Sequence, residues 1–464
     1  MLETHADGTI AASFDGYSIG LGKFSAGAAD RAQQLRAGLP LASFASDRGA
    51  DREIDLLVRR LARRGLLEYR FGPAGDDKDQ MVVEPQVAGY WPRTPKLGDA
   101  DMIVLSRFAY LRRRGNEMIL ESPRASALFR ICDPKIATAI AALSRPQRIR
   151  QLRRQADFPG REFLALLVDC RILFKIDDGD DGLRATEGDD NLVLWDFHDL
   201  LFHTRCTEGR QANPIGGLYP YAGVMPPPPA LRPRWPGKKI DLRKLASVPA
   251  ETGSPAAKLL RERHSTRNFD DQHPITLAEL SRFLDHTARV QSKWKSSVDL
   301  GGGGGPMVAY AARPYPSGGA SYELELYLTV ANCEGLARGF YHYDPDGHAL
   351  MPIEVRTDEL DAMLTGAEFA MDAPAAPQIL LTIAARFGRV SWKYSGIAYA
   401  LILKDVGVLV QTLYLMATDM GLGGCAIGTT NIDLFANMTG IEFHVEGPVG
   451  QFALGRGTKP RTSG

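Results

Sequence analysis

ALILKDVGVLVQTLYLMATDMGLGGCAIG (Ala400–Gly428) carries two signals that point to different folds. Its end, GLGGCAIG, contains G-x-G-x-x-A, the spacing of a dinucleotide-binding loop. Such a loop must follow a β-strand and open a helix, because it brings backbone against a pyrophosphate at a helix N-terminus. Here the preceding run is a long helix, apolar on most sides, with Gly421 placed to end it as the left-handed C′ residue. The spacing alone therefore does not make a doubly wound nucleotide fold. The glycines instead let backbone approach something flat and close. A helix this apolar has to be buried in a core or a subunit interface.

Working outward, the chain from about 255 onward reads as α+β. Thr276 and Glu279 (TLAE) form a capping box that opens a helix to about 288. ELELYLTVA (Glu323–Ala331) alternates as a half-buried strand, and GFYHYDPDGHALMPI is a hairpin turning at DPDG. QILLTIAA and GQFALG are further strands. Upstream, LARRGLLEYR (Leu61–Arg70) and LVDCRILFKI (Leu167–Ile176) share one pattern: the end of an amphipathic helix, a turn, then a strand. Each has short strands before it and an acidic loop after it (GPAGDDKD, DDGDDG), which predicts two winged-helix-like units. The expected organisation is 1–90 and 91–185 for these units, 186–254 for a helix and a proline-rich connector (GVMPPPPALRPRWPG), and 255–464 for the α+β domain.

Composition narrows the function classes. With 464 residues the chain holds two or three domains. Lys plus Arg and Asp plus Glu are 55 each, so net charge favours neither nucleic acid nor a membrane surface. The Arg-rich stretch 107–154 reads first as a solvated helix face and second as a contact surface for an acidic peptide or nucleic acid. Five scattered cysteines without a CxxC pair fit reduced thiols and a cytoplasmic setting. No run of 18 apolar residues occurs, so no membrane span is expected. His198 and His203 stand five apart, wrong for two ligands on one helix face, and no metal is expected.

Three segments besides the glycine loop carry candidate chemistry. In RERHSTRNFD (Arg261–Asp270), Arg263, Ser265 and Arg267 alternate, so an extended segment points them the same way as a phosphate clamp. The plainer reading is a solvated charge cluster. PSGG (Pro316–Gly319) is a tight turn before a strand. In SWKYSG (Ser391–Gly396), Lys393 beside Tyr394 can accept a proton, if it is not simply a surface lysine beside a packed tyrosine.

Together, and in this order, the segments resemble the nitroreductase-like, FMN-dependent azoline dehydrogenases, the oxidases of microcin B17, streptolysin S and cyanobactin type. RHSTRNF is similar to the family's R-x-S-x-R-x-F, and PSGGASYELELY to P-S-x-G-A-x-Y-P-x-E-x-Y. GLARGFYHYDPDGHAL resembles the family hairpin, and WKYSGIAY its Lys-Tyr pair and following helix. The likeness covers about 255–460. The N-terminal half is similar in pattern to the paired winged-helix peptide-binding modules of longer members. Val408 stands where members often have histidine, and Ala400 where many have arginine.

The resemblance implies a nitroreductase-like domain with a mainly antiparallel central sheet flanked by helices, working as a homodimer with FMN at the interface. It assigns Arg263, His264, Ser265 and Arg267 to the flavin, with Arg267 on the ring's N1/O2 side. It brings Pro316, Ser317 and Gly318 in from the partner subunit, sets Gly424, Ala426, Ile427 and Gly428 against the isoalloxazine edge, and puts Arg456 near the phosphate. Lys393 and Tyr394 match the catalytic pair. The implied substrate is a heterocyclised precursor peptide whose thiazoline or oxazoline rings lose a Cα proton to the pair and a hydride to flavin N5. A cyclodehydratase is the implied partner. The alternative is a general nitro or quinone reductase using NAD(P)H, for which some 240 additional residues have no evident use.

Overall fold

The computed structural model describes residues 2–14, 17–35, 37–41, 49–72, 79–154, 158, 160–176, 190–210, 216–217, 219–232, 234, 236, 238–242, 254–298 and 305–458. Most of both acidic loops and residues 301–304 of the glycine run lie outside them. The chain forms two compact units, one of 1–193 with 209–212 and one of 194–208 with 213–464.

In the first unit, strands Leu2–Thr4, Thr9–Phe14 and Tyr17–Lys23 form an antiparallel meander. Helices Ala26–Gln34 and Gly49–Ala62 pack on it through Ile10, Leu21, Ala28, Ile54, Leu57 and Leu61. A five-stranded sheet takes Tyr69–Phe71 and Met81–Pro85 from before residue 90 and Ala127–Ile131, Glu117–Glu121 and Tyr110–Arg114 from after it. A third sheet sets Met102–Leu105 between Gln147–Arg148 and Leu173–Ile176, next to helix Arg161–Asp169. The helix-turn-strand endings expected at both repeats are present. The Arg-rich stretch differs from its first reading, because it opens as a strand. Alternation turns Arg112 and Arg114 to one face, where Arg112 meets Glu121 at 2.6 Å and Arg114 meets Glu84 at 2.7 Å. Those charges are spent within the sheet.

The second unit is built on a six-stranded antiparallel sheet. Its order is Ala349–Ile353, Gly339–Asp344, Leu324–Val330, Ile379–Arg386, Glu446–Gly455, Gly423–Ile427. Leu324–Val330 is buried along its whole length, deeper than the half-buried strand that its alternation suggests, because elements cover both faces. Helix Thr357–Met371 packs Leu360, Met363, Leu364 and Ala367 onto one face with Phe435 and Met438. The long helix runs Ala398–Asp419, and Gly421 follows it with φ 67°, the left-handed stop expected. It is long and apolar enough to cross a membrane by length and composition, yet it packs on helix Leu277–Thr287 and the sheet's last two strands.

GLGGCAIG becomes the edge strand Gly423–Ile427. Its glycines are required by close packing: a Cβ at Gly424 would lie 2.3 Å from the Phe452 ring, and one at Gly423 would lie 2.6 Å from Thr266. Helix Phe197–Arg205 also belongs to this unit, and Trp195 before it donates to the His444 carbonyl at 2.7 Å.

The capping box forms as expected. Glu279 accepts the Thr276 N–H at 2.9 Å while its own N–H reaches the Thr276 hydroxyl at 3.2 Å. Arg456 adds two contacts of 2.8 Å to the same carboxylate. Glu279→Ala should destabilise this unit by about 1–3 kcal/mol, and Glu279→Gln, which keeps the cap, by less. Equal denaturation midpoints for wild type and Glu279→Ala would contradict this assignment.

Candidate active site

The predicted residues gather into two clusters. The first surrounds Tyr414. Arg263 caps helix Pro255–Glu262 in an extended conformation, so the chain leaves the helix as the straight segment that alternation requires. The Arg263 guanidinium lies 5.0 Å from the centre of the Tyr414 ring, and the Ser265 hydroxyl is 2.8 Å from the Tyr414 hydroxyl. The same hydroxyl accepts the Ala426 N–H at 2.8 Å, and the Thr266 N–H donates to the Gly424 carbonyl at 2.8 Å. The basic segment and the glycine strand are thus stitched side by side. His264 is exposed and turned back to the Glu262 carbonyl.

Arg263 and Arg267 have no carboxylate partner among the described residues, and Arg267 is exposed. Ala426 and Gly428 are exposed beside the buried Ile427, with open space where a Gly428 Cβ would stand. Two unpaired guanidinium groups beside a bare, flat strip of backbone fit an anionic planar cofactor such as FMN. Arg456 is placed differently. Its backbone joins this region through the Asp270 N–H, but its side chain is held by Glu279 and the His273 carbonyl.

The second cluster surrounds the turn Pro316–Ala320. After helix Phe387–Ser391 the chain bends, with the Lys393 and Tyr394 N–H groups both on the Val390 carbonyl. The bend makes the two neighbouring side chains converge. Lys393 Nζ donates to the Gly319 carbonyl at 3.1 Å. A Cβ on Gly319 would lie 2.2 Å from the Tyr394 hydroxyl and 2.6 Å from Lys393 Nζ. Beneath the turn, the Ser317 hydroxyl meets Asp405 at 2.9 Å and Glu323 at 3.2 Å, and Asp405 accepts the Gly318 N–H at 2.8 Å. Burial, then the Asp405 carboxylate, pushes Glu323 up to about 7.

Both clusters hang on helix Ala398–Asp419, Asp405 serving one and Tyr414 the other. Nine positions separate them, about 14 Å along the axis and roughly half a turn around it. The clusters therefore face away from each other within one chain.

Residues 260–456 match the Nitroreductase family model. They form a nitroreductase-family domain. Residues 103–212 match the Cyanobactin oxidase ThcOx model, and with the nitroreductase match the chain is an oxidoreductase. A protein of Methanocaldococcus jannaschii named as a nitroreductase is 29% identical over 37% of this chain and 76% of its own length. The Microcin B17-processing protein McbC of Escherichia coli is 33% identical over 33% of this chain, a stretch that spans about half (53%) of McbC. Among solved structures, the Escherichia coli microcin synthetase McbBCD complex with truncated pro-MccB17 is similar at 22% identity, covering 58% of this chain and 97% of that one (TM-score 0.40). A nitroreductase structure from Anabaena variabilis is similar at 17% identity over 78% and 80% (TM-score 0.33).

Tyr414, Glu323 and Asp405 had no motif to mark them. Glu323 reads as the first residue of an alternating strand, and Tyr414 and Asp405 as parts of an apolar helix. Tyr414→Phe leaves the Ala426 N–H and the Ser265 hydroxyl without their partner. A loss of about 1–3 kcal/mol in unfolding free energy is expected. An unchanged denaturation midpoint would show that the stitch is not needed.

Proposed function

We propose that this chain is an FMN-dependent dehydrogenase that oxidises thiazoline or oxazoline rings to thiazole or oxazole in a ribosomally made peptide. The convergence of Lys393 and Tyr394 on Gly319, at an open turn of a nitroreductase-family domain, carries this reading. The match to the cyanobactin oxidase model and the likeness to a microcin B17-processing protein support a peptide substrate. The substrate ring is made by a ring-closing dehydration, so the chain works after a cyclodehydratase. The N-terminal unit, which a small-molecule reductase does not require, is the natural site for holding the peptide or that partner.

FMN, when bound, supplies the hydride acceptor. Arg263 and Arg267 would hold its negative charge, and the exposed Ala426 and Gly428 would face its ring. The ring's Cα–H is acidified by the neighbouring imine and carbonyl. Lys393 and Tyr394 act on that proton as one unit, one accepting it and the other tuning the acceptor. Because the two clusters face opposite ways on one helix, a complete site takes Arg263 and Arg267 from one copy and Lys393 and Tyr394 from a second. The exposed Ile397, Val408 and Trp392, on and beside the long helix, give such a homodimer an apolar surface.

The test is anaerobic mixing of the flavin-loaded protein with a peptide that carries a preformed thiazoline. The flavin absorbance should bleach and the peptide become roughly two mass units lighter. Lys393→Ala and Tyr394→Phe should retain FMN and slow the reaction by about 10²–10⁴-fold. Bleaching by NADPH with none by the azoline would move the assignment to a general reductase.

A further inference from the structure

The turn that Lys393 and Tyr394 contact is strained. Gly319, Ala320 and Tyr322 have φ of 60°, 55° and 44°. Two of these are non-glycine residues in the left-handed region, a conformation that L side chains rarely adopt. Something must hold the turn in place, and the groups beneath it are two carboxylates.

The hydrogen bonds there do not balance if both are ionised. The Ser317 hydroxyl accepts the Tyr322 N–H at 3.0 Å and has one proton to give, with Asp405 at 2.9 Å and Glu323 at 3.2 Å. Asp405 also receives the Gly318 N–H. Glu323 is fully buried at 0% exposure, and its Oε1 has no hydrogen-bond partner. An ionised carboxylate whose donors are only its own backbone N–H and one shared hydroxyl proton is poorly compensated there.

Other charged and titratable groups around it do not supply that balance. Tyr315, a buried phenol, feels Glu323 as a like charge, and the Arg313 beside it is bonded to the Leu324 carbonyl and Glu325. From helix Phe387–Ser391, Arg389 donates to the Ser321 carbonyl. Arg386 reaches the Glu323 carbonyl through its N–H and Glu325 through its side chain. Lys404, next to Asp405, is exposed, and Lys393 is on Gly319.

We propose that a proton held on Glu323 beside Asp405 clamps the Ser317–Tyr322 turn, making Glu323 a positioning residue for Lys393 and Tyr394. The proposal rests on the proposed role of those two side chains. Loss of the proton leaves two adjacent carboxylates with one hydroxyl proton between them, and the strained turn relaxes. Lys393 Nζ and the Tyr394 hydroxyl, packed on Gly319, shift with it.

Infrared spectroscopy of the full-length protein reads this proton directly. A protonated-carboxyl carbonyl band should persist above the ordinary carboxylate range, fade as pH rises through about 7, and be absent in Glu323→Gln. Because this carboxyl is raised in the folded state, its contribution to stability is complete below about 4.5 and lost as pH rises through about 7. Glu323→Gln, whose amide keeps a donor, should lose that slope and also the alkaline fall in azoline turnover. Glu323→Ala should slow turnover on the order of 10²-fold at every pH with FMN still bound, and Gln should restore it. Amide exchange of 316–322 should be faster in Glu323→Ala than in Glu323→Gln. Absence of the band, or a band that survives Glu323→Gln, overturns the proton on Glu323. Equal exchange in the two variants, or equal turnover, overturns the clamp. A wild type with no azoline turnover at any pH would sink the assigned reaction, and the band and the exchange would still decide the clamp. If Glu323→Ala does not fold, the band and pH profile of Glu323→Gln decide alone.

Discussion

A single rigid helix, Ala398–Asp419, fixes where the chemistry can happen. Its rise and twist put Tyr414 and Asp405 about 14 Å apart on opposite sides. Tyr414 holds the arginine-bearing segment to the glycine strand through one hydroxyl with two partners. Asp405 holds the strained turn on which Lys393 and Tyr394 rest. Neither cluster can approach the other without breaking the helix, which is why the proposed function draws one complete site from two copies.

This division also explains why glycines recur at the site for unlike reasons. Gly423 and Gly424 leave room for Thr266 and Phe452, which locks the strand to the arginine segment. Gly319 leaves room for the Tyr394 hydroxyl and Lys393 Nζ, and takes a left-handed φ that few other residues accept. Gly428 faces open space, where a flat ligand can lie.

Much of this was legible in the sequence because it is written in local rules. The capping box at Thr276, the stop at Gly421, the DPDG hairpin and the rejection of a nucleotide loop after a helix all follow from spacing, and the described elements agree with them. The alternation of Arg263, Ser265 and Arg267 needed only an extended segment. What was not legible depends on partners distant in sequence. Arg456 looks like a free cation until Glu279, 177 positions away, takes it. The Arg-rich stretch looks like a helix face until Glu84 and Glu121 pair with it across strands. Glu323 looks like the polar side of a half-buried strand until helices cover both faces and bury it beside Asp405.

The central claim is that one site is made by two chains. A mixed dimer tests it most directly, pairing a Lys393→Ala chain with a chain carrying Arg263→Ala and Arg267→Ala, each inactive alone. If the site is shared, one of the two sites in the mixed dimer has both arginines and an intact Lys393. Azoline oxidation should then return to about half the wild-type rate per dimer, as one working site in a two-fold dimer requires. No recovery in a dimer shown to contain both chains would mean that each site is built within a single chain, and would contradict the account.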